Sequence, residues 1–137
     1  MRRLTEWSSA RVWRSRVHRY RLIAGRCRSC GKVYYPPTDA CPYCGSRDVD
    51  NMELPRVGRI ISYSVIYATP FEDRNRSPVI LGLIDLGVAR LVTEIVDVKP
   101  EELKIGDRVE AVFRRVSVDG TTGLIVYGIK FRPTKAR

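Results

Sequence analysis

Residues 27 to 44 constrain this chain more than any other stretch. All four cysteines lie there, as Cys27-x-x-Cys30 and Cys41-x-x-Cys44, with ten residues between the pairs. A tetrahedral zinc ion needs four soft or borderline donors, and each tight pair supplies two from one turn. Gly31 and Gly45 follow the second cysteine of each pair. A residue without a side chain there lets backbone N–H groups turn towards the sulfurs and offset part of their charge. Cys27, Cys30, Cys41 and Cys44 are therefore the expected ligands of one structural zinc.

Three other uses of the cysteines compete. Two disulfides would need an oxidising compartment. Residues 1 to 26 hold eight arginines and no apolar core run, unlike a signal peptide, so a reducing, cytoplasmic setting is expected. A redox Cys-x-x-Cys needs one pair, not two matched ones. Iron stays open, because Cys-x-x-Cys-Gly with Cys-Pro-x-Cys-Gly also looks like the two knuckles of rubredoxin. The short spacer favours a compact zinc ribbon. Four thiolates leave no open position for substrate, so the metal would hold structure and do no chemistry.

The charge is unevenly placed. Residues 1 to 50 carry 11 Lys/Arg against four acids, which is +7 of the chain's net +10. That points to an anionic partner: nucleic acid, a nucleotide-bearing cofactor or an acidic protein face. A solvated basic surface is the plainer reading. No run approaches the ~18 apolar residues a membrane span needs.

Within the basic N-terminal segment, residues 1–26, the residues Ala10, Trp13, Val17 and Tyr20 recur at helical spacing. Ser8 or Ser9 can cap the start of such a helix. Its apolar stripe must pack on the rest of the protein or on a partner, and packing at home is the default. The ribbon is expected over 27–50. Lys32 to Tyr35 favours a strand that Pro36-Pro37 ends, with Tyr34 and Tyr35 covering the metal module. Residues 46–55 read as a linker.

From residue 51 to 133 the pattern has period two. Strands are predicted over 59–66, 79–86, 89–96, 108–116 and 123–131, with turns at Gly87-Val88 and Asp119-Gly120. Lys99 to Leu103 reads as a helical turn started by Pro100. Five short strands with one such insertion suggest an OB-type Greek-key barrel, against an unrelated small barrel or sandwich. The fold class is thus mostly β: an N-terminal helix, a rubredoxin-like zinc ribbon, then a five-stranded OB-fold barrel. The connection 67–78 is long enough to be a ligand-flanking loop or simply a surface loop. Residues 134–137 read as a loose basic tail.

No catalytic constellation is visible, and His18, the one histidine, reads as a surface residue. The order of features nonetheless resembles a known family. It runs through Trp13-Arg14, Arg19-Tyr20-Arg21-Leu22, Gly25-Arg26-Cys27, Cys30-Gly31, Pro36-Pro37 and Cys41-Pro42-x-Cys44-Gly45. It continues through Gly58 to Ser64, Gly106 to Phe113, Tyr127-Gly128 and Phe131-Arg132-Pro133. This is similar to the rubredoxin-like zinc ribbon plus OB-fold proteins that accompany thiolases, formerly a domain of unknown function.

The resemblance implies a non-catalytic subunit of an acyl-CoA-metabolising complex. In archaea it implies a bridge between acetoacetyl-CoA thiolase and hydroxymethylglutaryl-CoA synthase, with the barrel helping to hold the CoA-linked intermediate. CoA carries phosphates that arginine forks suit, and Arg19 and Arg21 are named as candidate contacts. The rival reading is a single-stranded nucleic-acid binder, with Tyr63, Tyr67, Phe71 and Tyr127 as a stacking platform or as core.

Overall fold

The computed structural model describes residues 8–69, 75–118, 120–121 and 123–134. Helix α1 covers Ser9–Arg21. Ser8 caps it, its hydroxyl accepting from the Arg11 N–H, which satisfies one orphan donor of the first turn. Leu22 ends it in the left-handed region, donating its N–H to the His18 carbonyl. Contrary to the default expectation, α1 buries no residue, and Trp13 is 65% exposed. The Tyr20 end of the stripe meets the body, its ring 5.1 Å from that of Phe113 with the two at 81°.

Three short strands follow: β1 (Ile23–Cys27), β2 (Val33–Tyr34) and β3 (Val49–Glu53). They form an antiparallel sheet in the order β2-β1-β3. The linker expected over 46–55 is therefore corrected, because Val49–Glu53 pairs along the whole of β1. Its polar residues misled the sequence reading. Arg28 neutralises them, with a forked ion pair to Asp50 at 2.6 and 2.7 Å and a longer contact to Asp48 at 3.6 Å. The sheet starts before residue 27 and runs past residue 50.

The barrel strands are β4 (Val57–Ile66), β5 (Val79–Asp85), β6 (Arg90–Ile95), β7 (Arg108–Val118) and β8 (Ile125–Pro133). They close in the order β4-β5-β6-β8-β7, and β7 pairs back on β4. Only β6 and β8 run parallel, at Ile95 and Phe131. A 3-10 turn, Pro100–Glu102, lies between β6 and β7. This is the expected five-strand closed barrel with its insertion after the third strand. Gly87 takes positive φ in the β5–β6 turn, where a side chain would strain the backbone.

The core joins ribbon and barrel. Leu22, Ala24 and Leu54 are buried in one cluster with Ile60, Ile84, Val109 and Phe131. The Leu54 N–H donates to the Leu22 carbonyl at 2.9 Å, which pins the strand leaving the ribbon beside the helix end. Thr134, expected in a loose tail, donates its N–H to the Arg108 carbonyl. Residues 135–137, and Phe71 in the long loop, lie outside the described residues.

Candidate metal centre and the basic face

The two Cys-x-x-Cys turns fold alike because each repeats the same backbone bonds. Cys27 donates its N–H to the Lys32 carbonyl and Gly31 donates to Cys27. In the second turn Cys41 donates to Ser46 and Gly45 to Cys41. Gly31 and Gly45 hold φ of 73° and 75°, a region that costs a side-chain-bearing residue energy. The hydroxyls of Ser29 and Ser46 meet at 2.9 Å and tie the turns together.

The sulfurs converge. All four Sγ atoms lie within 4.8 Å of one another, with Cys27–Cys44 at 3.5 Å and Cys30–Cys41 at 3.7 Å. None of the four is in a disulfide. Four sulfurs bound at ~2.3 Å around a tetrahedral ion sit roughly 3.8 Å apart, so the cluster has the right size for zinc. Cys27 and Cys41 are buried while Cys30 and Cys44 reach solvent. The Cys30 N–H points at the Cys27 sulfur at 3.5 Å. That amide, before any other cause, pulls the Cys27 thiol down to about 6. Burial pushes Cys41 up, but the Cys44 and Tyr43 amides outweigh it and the thiol falls below its ordinary value. At Cys44 the Ser46 amide lowers the thiol. The neighbouring Cys27 sulfur and burial overcome it, driving the thiol to about 12. Sulfurs this close cannot all shed protons without a cation between them.

Tyr34 covers the centre as expected, packed with Cys27, Cys41 and Val49. Tyr35 does not. It lies just past the end of β2 and packs on the main core instead. Burial raises its hydroxyl pKa, and the charge of Arg19 opposes that rise.

Arg19 shares a shallow depression on α1 with Arg11, Arg14, Ser15 and His18. His18 is half-buried rather than a plain surface residue, and its Nδ1 is enclosed without a hydrogen-bond partner among the described residues. Arg21 lies elsewhere. It pairs with Glu53 of β3 at 3.1 Å. Two positions apart on a helix lie about 200° around its axis, so Arg19 and Arg21 are not brought together.

The aromatic candidates also separate. Tyr63 is core, its hydroxyl donating to the Leu103 carbonyl at 3.0 Å. Tyr67 is exposed beside the long loop, whose ends are tied by Ser77 Oγ donating to the Tyr67 carbonyl. Tyr127 lies exposed on the outer face of β8 and stacks on Phe113 of β7, at 5.3 Å with rings 8° from parallel. Sequence reasoning missed Phe113. Strand alternation tells which residues share a face, not which face is outside.

The ribbon and the barrel each match a family model. Residues 15–50 match the rubredoxin-like zinc ribbon domain of ChsH2, and residues 52–114 match its C-terminal OB-fold domain. A DUF35 domain-containing scaffold protein of Methanocaldococcus jannaschii is 42% identical over 125 residues, spanning 90% of this chain and 89% of that protein. The chain belongs to the DUF35 family. The benzoylsuccinyl-CoA thiolase subunit BbsA of Thauera aromatica is 26% identical over 78% of this chain and 72% of that one. A solved structure described as an Ltp2–ChsH2(DUF35) aldolase superposes with a TM-score of 0.68 at 28% identity, covering 96% of this chain and 98% of that chain. This chain and ChsH2 thus share both the ribbon and the barrel. Among the described residues, no helix is long and apolar enough to cross a membrane.

Proposed function

We propose that this DUF35 protein is a non-catalytic, zinc-stapled scaffold subunit of a thiolase-type acyl-CoA enzyme. The observation that carries the reading is the end-to-end likeness to an archaeal scaffold protein. A relative that is a thiolase subunit, and a structural neighbour described with an aldolase, support the enzyme class of the partner.

In this reading Cys27, Cys30, Cys41 and Cys44 hold one zinc, which fixes the ribbon against β1 and performs no chemistry. The finer form of the reading has the protein bridge acetoacetyl-CoA thiolase and hydroxymethylglutaryl-CoA synthase while its surface contacts acyl-CoA. Arg19, in the basic depression of α1, and Arg21, which pairs with Glu53 of β3, are then the candidates for a CoA phosphate. The four thiols are committed to the metal, so the chain offers no sulfur nucleophile of its own.

A second reading, single-stranded nucleic-acid binding, draws on the exposed Phe113–Tyr127 pair and the net charge of +10. One experiment separates the two. The purified zinc protein is assayed for acyl-CoA condensation and cleavage alone and with a thiolase-type enzyme of the same organism, and for binding to labelled oligonucleotides over a salt series. The scaffold reading expects no turnover alone, a stable complex with the enzyme and weak oligonucleotide binding. Turnover by the protein alone, or tight salt-steep oligonucleotide binding without an enzyme complex, overturns it.

A further inference from the structure

The apolar residues that α1 leaves in solvent continue onto the barrel. Trp13, Val17 and Tyr20 lie on one helical face, at spacings of four and three. Tyr20 meets Phe113, and Phe113 stacks on Tyr127. Ile125 is two residues before Tyr127 on β8, so it shares the same outer face, and it pairs across with Val118 of β7. Trp13, Val17, Phe113, Tyr127, Ile125 and Val118 are all exposed. The result is one ridge running from the helix to the end of the β7–β8 hairpin. Scattered surface apolar residues are ordinary, but a connected ridge of them marks an interface.

Among the described residues, charge along the ridge has one sign. Arg16 lies over the Trp13 ring at 3.6 Å. Arg115 stands directly across from Tyr127 in the β7–β8 ladder. Ser9–Arg21 contains five arginines and no carboxylate. The one acid on β7, Glu110, is at its far end and engaged by Arg132 at 2.8 Å. A second copy of this chain would set arginine against arginine, since a two-fold contact meets its own surface. Trp, Tyr and Arg are the residues that anchor protein interfaces, whereas a nucleic-acid strand needs ring faces to stack on. Here Phe113 and Tyr127 turn a face to each other, and Tyr20 meets Phe113 with the two rings at 81°.

We infer that this ridge is the docking surface for the partner enzyme, and that the partner presents an apolar groove rimmed by Asp and Glu. The inference rests on the scaffold reading and gives it a location. Aromatic anchors supply the affinity, and the flanking arginines supply orientation and the rate of encounter.

The test measures association of the full-length zinc protein with a thiolase-type enzyme of the same organism by surface binding at several salt concentrations. Trp13→Ala and Phe113→Ala are compared with Val92→Ser and Ile105→Ser, which alter exposed apolar residues off the ridge. Melting temperature is read for each. The ridge variants are expected to weaken binding by ~30-fold or more, Trp13→Ala at unchanged melting temperature and Phe113→Ala while still folded at the assay temperature, and the off-ridge variants to bind like the wild type. Arg16→Gln with Arg115→Gln, which leaves the apolar surface intact, is expected to slow association and flatten its salt dependence. Wild-type binding that the ridge variants leave unchanged overturns the location while the scaffold reading stands. Binding whose rate does not depend on salt or on those two arginines overturns the acidic rim. No binding by the wild type removes both readings. Self-association or oligonucleotide binding lost in the ridge variants assigns the surface to another occupant and overturns the inference.

Discussion

Gly25 and Tyr34 are packed so closely that one methyl group decides the matter. A Cβ on Gly25 would sit 2.7 Å from the Tyr34 ring, the ring that covers Cys27 and Cys41. Tyr34 is buried with an unpartnered hydroxyl among the described residues, so it has little room to retreat. Gly25→Ala is therefore expected to cost about 1–3 kcal/mol. It should also speed zinc loss to a chelator, read by melting and by metal-release kinetics. An unchanged release rate would mean that Tyr34 does not guard the centre. The thiols carry a second expectation. Cys27 is held down to about 6 and Cys44 up to about 12, so at neutral pH a proton must leave Cys44 when zinc enters. Protons compete with the metal. Zinc affinity should fall as pH drops from 8 to 6, with proton release on binding near pH 7, both measurable by calorimetry. A flat pH dependence would contradict the four-thiolate site.

At the scale of elements, β6 and β8 hold a buried charge. Lys130 of β8 is buried, and its Nζ lies 2.6 Å from Glu94 of β6, which Arg76 also reaches at 2.6 Å. Glu94→Gln leaves Lys130 without its counter-charge and should destabilise the barrel by about 3 kcal/mol. Glu94→Gln combined with Lys130→Met should recover much of that loss, because the stranded charge is gone. A melting series in which the double variant is no better than the single would refute this role.

The elements themselves were unevenly legible. The barrel was readable because short apolar runs with strand alternation recur over 59–66, 79–86, 89–96, 108–116 and 123–131, and because Gly87 and Gly120 mark turns. The convergence of the four cysteines was readable from their spacing alone. Strand β3 was not, since Asp48, Asp50 and Asn51 look like a linker until Arg28 and the edge of β1 are in place. Nor was the fate of α1, because periodicity shows a stripe and not what covers it. The outward face at Phe113 was hidden for a related reason. Alternation along β7 puts Phe113 and Arg115 on one face but does not say which face is outside.

The whole molecule is coupled through its shared core. Leu22, Ala24 and Leu54 belong to the ribbon side and are buried with barrel residues, while Val33, Tyr35 and Met52 pack against the same cluster. The sequence places the ribbon over 27–50 and the barrel over 51–133 without showing that they share a core. With a common core, Cys41→Ser or zinc removal should lower the barrel's melting temperature as well as unfold the ribbon. Hydrogen exchange at Ile60, Val109 and Phe131 reads this directly, and unchanged protection there would show two independent units. The most direct test of the central claim, a zinc-stapled scaffold for an acyl-CoA enzyme, is the mass of what forms when the zinc protein is mixed with a thiolase-type enzyme of its own organism. Light scattering on the eluting peak, with zinc counted by elemental analysis, is expected to show one complex holding both proteins and one zinc per DUF35 chain. Two separate peaks at the masses of the free components, with the zinc protein shifting instead onto single-stranded nucleic acid, would contradict it.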